Sequence, residues 1–442
     1  MSQDPREPHR QPSTQGSRID PYVGTYAARA QGMVASEVRA LFAVASRPEV
    51  VSLAGGMPNV SALPLDRIGE IVQEVVAEQG PTALQYGSAQ GDAVLREQIC
   101  EVMSLEGIEA DADDVIVTVG SQQALDLVTR VFVDPGDVVL CEAPTYVTAI
   151  NTFAAFQADI RHIAIDDDGV IPEALEETLA RLTAEGRTVK FFYTIPNFQN
   201  PGGVTLSSER RRRVLEICQR YGLLVLEDNP YGLLRYEGDP ERPLRADAPD
   251  NVIYLGSFSK TLSPGFRIGW ALAPSAVRAK LVLAAESAML SHSTFNQMVV
   301  GRYLSTHPWR EQIKDFNEMY RERRDAMFGA LDALMPAGTT WTRPEGGFFV
   351  WVTLPEGLDA KAMLPRAVSE RVAYVPGTGF YAGDEGHRHM RLSFCYPTPE
   401  QIREGVRRLV GVIKSETSLR DTFGSTSVPP TSGSDAPTPD IP

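Results

Sequence analysis

Between residues 115 and 273 the chain alternates short, continuously apolar runs with amphipathic stretches, and this alternation constrains the fold more than any other feature. Val115-Ile116-Val117-Thr118 precedes a helical pattern from Gln122 to Val133. Val138-Val139-Leu140-Cys141 precedes a second from Val147 to Phe156, and Phe191-Phe192-Tyr193-Thr194 a third from Ser207 to Arg220, whose start has Ser/Glu capping character. Leu223 to Leu226, Val252 to Gly256 and Ile268 to Ala273 are further apolar runs. A strand apolar on both faces needs cover on both faces, and the interleaved helices supply it. The expected architecture is α/β, with a mostly parallel sheet between helices. Ligands in such sheets sit beyond the carboxyl ends of the strands, so residues ending these runs are the functional candidates.

The remainder reads as a smaller α+β domain. Residues 276–335 are helical in pattern, and Gly347 to Val352, Arg371 to Val375 and Met390 to Phe394 are strand-like, before a last helix near Glu400 to Ile413. Ser36 to Phe42 resembles a capped helix, and Leu65 to Glu78 carries apolar residues at helical spacing. The expected division is a disordered tail over 1–20, an N-terminal arm and part of the small domain over 21–75, a large domain over 76–330, the rest of the small domain over 331–416, and a second disordered tail over 417–442. Both tails are rich in Ser, Thr, Pro, Gly and Asp and poor in the apolar residues a core needs.

A net charge of -15 argues against a nucleic-acid or anionic-membrane partner. No apolar run approaches the roughly 20 residues a bilayer span requires, and the polar N-terminus has no signal-peptide core. Four scattered cysteines without paired spacing point to a reducing compartment, so the expected location is the cytoplasm. No metal site is expected.

Lys260 stands in Ser257-Phe258-Ser259-Lys260-Thr261-Leu262-Ser263-Pro264-Gly265-Phe266-Arg267, between two apolar runs. Desolvation lowers an amine's pKa, and a neutral amine condenses with an aldehyde. The hydroxyls and Arg267 are donors suited to a phosphate dianion. An aldehyde carrying a phosphate describes pyridoxal 5'-phosphate. Gly120-Ser121-Gln122 joins a strand to a helix, where it is either an N-cap or an anion site. Asp228 ends a strand; it either caps the next turn or faces a pyridine nitrogen. Tyr146 and Pro230 either pack ordinarily or sandwich a ring. Asn200-Pro201-Gly202-Gly203 is a turn whose Asn steadies it or donates to a ligand. Arg391, in an apolar strand, needs an anion: a structural carboxylate or a substrate's. Tyr86 is either a surface aromatic or a ligand contact.

Taken in order, these motifs closely resemble the fold-type I pyridoxal-phosphate-dependent aminotransferases of class I/II, in the branch of 2-aminoadipate aminotransferase and kynurenine aminotransferase II. The matching runs are Ser52-Leu53-Ala54-Gly55-Gly56-Met57-Pro58, Gly120 to Leu127, Gln199 to Gly203, and Gly256 to Gly265. The resemblance implies a large cofactor-binding domain with a seven-stranded type of sheet, and a homodimer with shared active sites. It implies that Lys260 bonds the cofactor and shuttles the proton, that Asp228 holds the pyridine nitrogen, and that Tyr231 and Asn200 donate to the ring oxygen. Tyr146 matches the stacking aromatic. Ser121, Gln122, Ser257, Ser259 and Arg267 match the phosphate cup, with Tyr86 reaching it from the other subunit. Arg391, with Asn200, matches the α-carboxylate clamp. Gly202-Gly203 departs from the Thr-Gly of many relatives.

The same resemblance implies ping-pong transfer between an amino acid and a 2-oxo acid, with 2-aminoadipate, glutamate or aromatic donors, phenylglycine types included. Two alternatives stand beside it: another pyridoxal-phosphate reaction on this fold (decarboxylase, lyase or amino acid oxidase), or a ligand-sensing regulator. Arg39 falls where 2-aminoadipate-type relatives place a side-chain-carboxylate arginine, although a solvent-facing arginine fits the segment too; Gly56 leaves room for a large substrate side chain. Arg39→Ala is expected to weaken turnover of acidic donors and spare aromatic ones, and equal loss on both classes would refute that assignment.

Overall fold

A computed structural model describes residues 22–31, 47 and 49–424. In chain order the strands are β1 (Val51–Ser52), β2 (Val115–Thr118), β3 (Val138–Ala143), β4 (Asp159–Asp166), β5 (Gly169–Val170), β6 (Val189–Thr194), β7 (Leu224–Asp228), β8 (Val252–Ser257), β9 (Gly269–Leu272), β10 (Thr340–Trp341), β11 (Phe349–Thr353), β12 (Val372–Ala373), β13 (Val375–Pro376) and β14 (His389–Ser393). The main sheet has the order β2-β9-β8-β7-β6-β3-β4-β5. Its centre, β8 to β4, is parallel, whereas β9 runs antiparallel to both neighbours. The expected seven strands are present, and an eighth, the two-residue β5, turns back along the edge of β4.

Alternate residues of each central strand feed different cores, as the twofold repeat of a strand requires. Phe192, Leu140 and Val225 pack with Leu175, Leu179, Val214 and Ile217 from the helices Pro172–Ala184 and Ser208–Arg220. Phe191, Tyr193, Val139 and Leu226 face the opposite side, against Leu125 and Val128 of the helix Ser121–Phe132. Each fully buried large apolar side chain contributes ~1.5–3 kcal/mol. Both faces are therefore sealed, and chemistry is left to the strand ends.

The smaller unit holds the antiparallel sheet β10-β11-β14-β13 and the parallel pair β1-β12. That pair ties the N-terminal segment to the C-terminal third. The last helix, Pro399–Phe423, opens with a capping box at Thr398 and runs through 417–423, which the sequence reading assigned to a disordered tail. Ser and Thr persist there because Ser415, Thr417 and Thr422 return their hydroxyls to carbonyls one turn back, and Glu416 pairs with Arg366 at 3.1 Å. The helix stops only at Gly424, at φ 88°. The helix from Leu65 also outruns its expected end at Glu78 and reaches Ala83 through a kink at Gln79, ahead of Pro81. Ser207 does take the N-cap position of its helix, but its side chain makes no capping bond. The expected helix over 36–42 lies outside the described residues.

Candidate active site

The carboxyl ends of β2, β3, β6, β7 and β8 share one edge of the sheet, and a cavity of about 360 Å³ opens there. Its lining brings together Gly56, Ser121, Gln122, Tyr146, Asn200, Asp228, Tyr231, Ser257, Ser259, Lys260, Arg267 and Arg391. Residues far apart in sequence meet because every strand of a parallel sheet delivers its last residue to the same side.

Lys260 lies three residues beyond β8, and its Nζ donates to the Gly56 carbonyl at 2.9 Å. Burial lowers its pKa, and the charges of Arg391 and Arg267 act in the same direction against Cys395 and Asp228. Asp228 closes β7. One carboxylate oxygen, Oδ2, accepts from the Tyr193 hydroxyl at 2.8 Å, while Oδ1 is buried with no partner. Burial pushes the carboxyl up to about 6, against the opposing pull of Tyr193 and Lys260. A buried acceptor left open is costly, so this oxygen suits an incoming N–H donor, above all a charged one.

At the other end of the cavity Gly120 holds φ 72° and starts the helix Ser121–Phe132, whose first backbone N–H groups have no intrahelical partner. Ser257 Oγ donates to Ser259 Oγ at 2.8 Å and accepts from the Ser259 amide at 3.0 Å. Arg267, in a left-handed conformation, donates to the Val119 carbonyl at 2.9 Å. Gln122 donates to Thr152 at 2.8 Å while its Oε1 is buried without a partner. Amides, hydroxyls and a guanidinium around a helix N-terminus form a donor set for a phosphate. A Cβ on Gly120 would stand 2.7 Å from Arg267 Nη2, in a backbone conformation that L residues avoid. Gly120→Ala is thus expected to cost ~1 kcal/mol in stability and to weaken cofactor retention by roughly tenfold or more, read by dialysis and absorbance. Undiminished retention would sink the assignment of the cup.

Arg391 is buried on β14. Its Nη1 donates to Asn200 Oδ1 at 2.8 Å and its Nη2 to the Ala54 carbonyl at 2.9 Å, leaving Nε buried and unpartnered. The guanidinium lies over the rings of Phe349 at 4.0 Å and Phe380 at 5.1 Å. Burial lowers its pKa to about 10. No carboxylate partners it among the described residues, which is the feature separating a ligand anchor from a structural ion pair. Tyr231 is buried, with its ring edge-on to Phe348 and Phe349 at 5.5 and 6.1 Å. Tyr146 takes the N-cap position of the helix Val147–Ala155, without a capping bond from its side chain, and lines the cavity.

Two expected site residues are not brought in. Tyr86 is 76% exposed and lies outside the cavity of its own chain. Arg39 lies outside the described residues. Conversely, Phe349 lines the cavity, and Tyr193 and Cys395 stand behind it against Asp228 and Met57, without having been singled out. Tyr193 and Phe349 sit inside apolar strands, where an aromatic reads as packing. Cys395 reaches the Met57 carbonyl at 3.2 Å only through the tertiary fold.

The model of the aminotransferase class I and II family matches residues 48–409, and the chain belongs to that family. It is accordingly a pyridoxal-phosphate-dependent aminotransferase. It is similar to aromatic-amino-acid aminotransferase 1 of Thermococcus litoralis, at 46% identity covering 89% of this chain and 95% of the relative. It is also similar to 2-aminoadipate transaminase of Thermus thermophilus, at 39% identity covering 87% and 95%. Among solved structures, a kynurenine aminotransferase from Pyrococcus horikoshii, in complex with PMP, superposes with a TM-score of 0.85 at 44% identity, covering 88% of this chain and 97% of that one. No helix among the described residues is long and apolar enough to cross a membrane.

Proposed function

We propose that this aminotransferase moves an α-amino group from 2-aminoadipate, glutamate or an aromatic amino acid, phenylglycine types included, to a 2-oxo acid in ping-pong fashion. One observation carries the reading: a lysine amine of lowered pKa, an open carboxylate oxygen and a guanidinium free of carboxylates converge on one cavity. The relatives named for aromatic and 2-aminoadipate substrates support the donor classes.

Bound pyridoxal phosphate supplies an electron sink for the pair left behind when a substrate loses its Cα proton. The residues provide the rest. Asp228 Oδ1, buried without a partner, would hold the pyridine N–H, and an ionised carboxylate there would favour a positive nitrogen. Tyr231 and Asn200, which line the cavity, would donate to the ring oxygen, and Tyr146 would pack against the ring. Ser121, Gln122, Ser257, Ser259, Arg267 and the helix N-terminus hold the phosphate. Arg391 turns its fork onto the substrate carboxylate beside Asn200, which fixes the Cα–H toward Lys260. Lys260, whose pKa burial lowers, would be the base that takes up and passes on the Cα proton.

We place the working enzyme in the cytoplasm as a homodimer that takes part in biosynthesis. Support for the location comes from its four unpaired thiols. For the dimer it comes from exposed Leu84, Tyr86, Leu283 and Leu290, an arrangement in which Tyr86 would complete the other subunit's phosphate cup.

The reading is tested by a donor panel scored by loss of the bound cofactor's visible absorbance without acceptor, and its return on adding 2-oxoglutarate. Carbon dioxide or ammonia release instead would replace transfer by another reaction of the cofactor. In the same panel Arg391→Lys is expected to raise donor KM by roughly 10², since a point charge cannot reproduce a bidentate fork. An unchanged KM would remove Arg391 from the carboxylate clamp.

A further inference from the structure

We infer that Gln199, held by Glu142, is a positioning residue that sets the separation between the two turns carrying Tyr146 and Asn200. The inference rests on the roles proposed above for those two side chains. Neither Gln199 nor Glu142 lines the cavity, and they are 1% and 2% exposed.

The Gln199 amide commits both its N–H groups and its oxygen to three different pieces of the site. Its Nε2 donates to Glu142 Oε2 at 3.0 Å and to the Pro144 carbonyl at 2.7 Å, two residues before Tyr146. Its Oε1 accepts from the Gly202 amide at 2.6 Å, closing the turn that presents Asn200. Glu142, inside β3, in turn accepts from the Thr194 hydroxyl at 2.5 Å and the Ile195 amide at 3.2 Å, where β6 ends. One amide and one carboxylate thereby lock the ends of two adjacent strands and both loops that leave them. Asn200 is the acceptor for Arg391, so a shift of this turn moves the substrate clamp relative to Lys260. Burying an amide this completely is worthwhile only if the geometry it fixes matters, because any of the three bonds left unmade is costly.

The pattern of bonds also identifies the conservative variant. Ile195 and Gln199 both donate to Glu142 Oε2, and only Thr194 donates to Oε1. In Glu142→Gln the new carbonyl can take the place of Oε2 while the new NH₂ donates to the Thr194 hydroxyl, which also accepts. Every contact to Gln199 is kept.

The test compares wild type, Gln199→Met, Gln199→Ala, Glu142→Gln, Glu142→Ala and Asn200→Ala as holoenzymes, with 2-aminoadipate as donor and 2-oxoglutarate as acceptor. Gln199→Met, which keeps the volume, is expected to raise donor KM by roughly tenfold with kcat within about threefold; Gln199→Ala is the smaller-volume check. Glu142→Ala should behave likewise, and Glu142→Gln should stay within about twofold of wild type. Combining Gln199→Met with Asn200→Ala should cost less than the sum of the two single effects, since part of what Gln199 does is exerted through Asn200. The inference is overturned if Gln199→Met only lowers the thermal midpoint and leaves KM unchanged, if Glu142→Gln is as impaired as Glu142→Ala, or if the double variant is additive. Should Asn200→Ala itself leave KM unchanged, the role given to Asn200 fails instead, and the two failures are distinguishable.

Discussion

Lys260→Ala is expected to abolish turnover, with kcat falling by ~10⁴ or more, because in the proposed function one amine serves as both the covalent attachment and the proton carrier. General acid–base transfer alone is worth ~10²–10⁴. The loss should appear in single-turnover experiments with the donor alone. The cofactor should still be retained, since the phosphate cup and Asp228 do not depend on the lysine, but borohydride should no longer fix it to the peptide spanning Ser257 to Arg267. The variant should also fold, because among the described residues the hydrogen bond it loses is the one to the Gly56 carbonyl. A variant turning over within tenfold of wild type would place the amine elsewhere.

Asp228→Asn is expected to lower kcat by about 10³, comparable to removing one preorganised electrostatic contact from a buried site. The amide is isosteric and can still meet Tyr193, so packing is kept and only the charge that holds the ring nitrogen positive is lost. The same substitution has a pH signature. Folding raises the Asp228 pKa from 3.8 to about 6. Below pH ~4 the group is neutral in both states. Between ~4 and ~6 the folded protein keeps a proton that the unfolded chain has released, so stability without cofactor falls as pH rises across that window and then levels. Glu142 and Glu106, each pushed up to about 7 chiefly by burial, add to the same slope. The difference between wild type and Asp228→Asn isolates the aspartate. For the cofactor the sign reverses: its affinity for the wild type should weaken as pH drops below ~6 and Asp228 takes up a proton, and the Asn variant should lack that dependence. Thermal melts without cofactor and cofactor titrations across pH 4–8 read both. Parallel curves for the two proteins would mean that Asp228 Oδ1 does not face the cofactor.

The sequence by itself determined the sheet and the strand ends. Val115–Thr118 is a strand to the residue, and the runs at 138, 191, 223 and 252 each begin or end within a few residues of β3, β6, β7 and β8, because a strand buried on both faces has to be apolar throughout. Lys260, Asp228, Asn200 and Arg391 were legible for the converse reason: polar groups that end or interrupt such runs need a partner, and their order along the chain matches one family. Where the sequence misled, at the extended C-terminal helix, the stabilising contacts were hydroxyl-to-carbonyl bonds and an ion pair to a distant helix, which composition does not record.

What only the tertiary structure decided was which oxygen and which nitrogen are free. Tyr193 looks like core until its hydroxyl is seen to occupy one Asp228 oxygen and leave the other open. Gln199 looks like part of a turn until its amide is seen to bridge two strands. Hydrogen-bond capacity is a property of each residue, but whether it is spent depends on neighbours 35 to 57 positions away, and only folding brings those together.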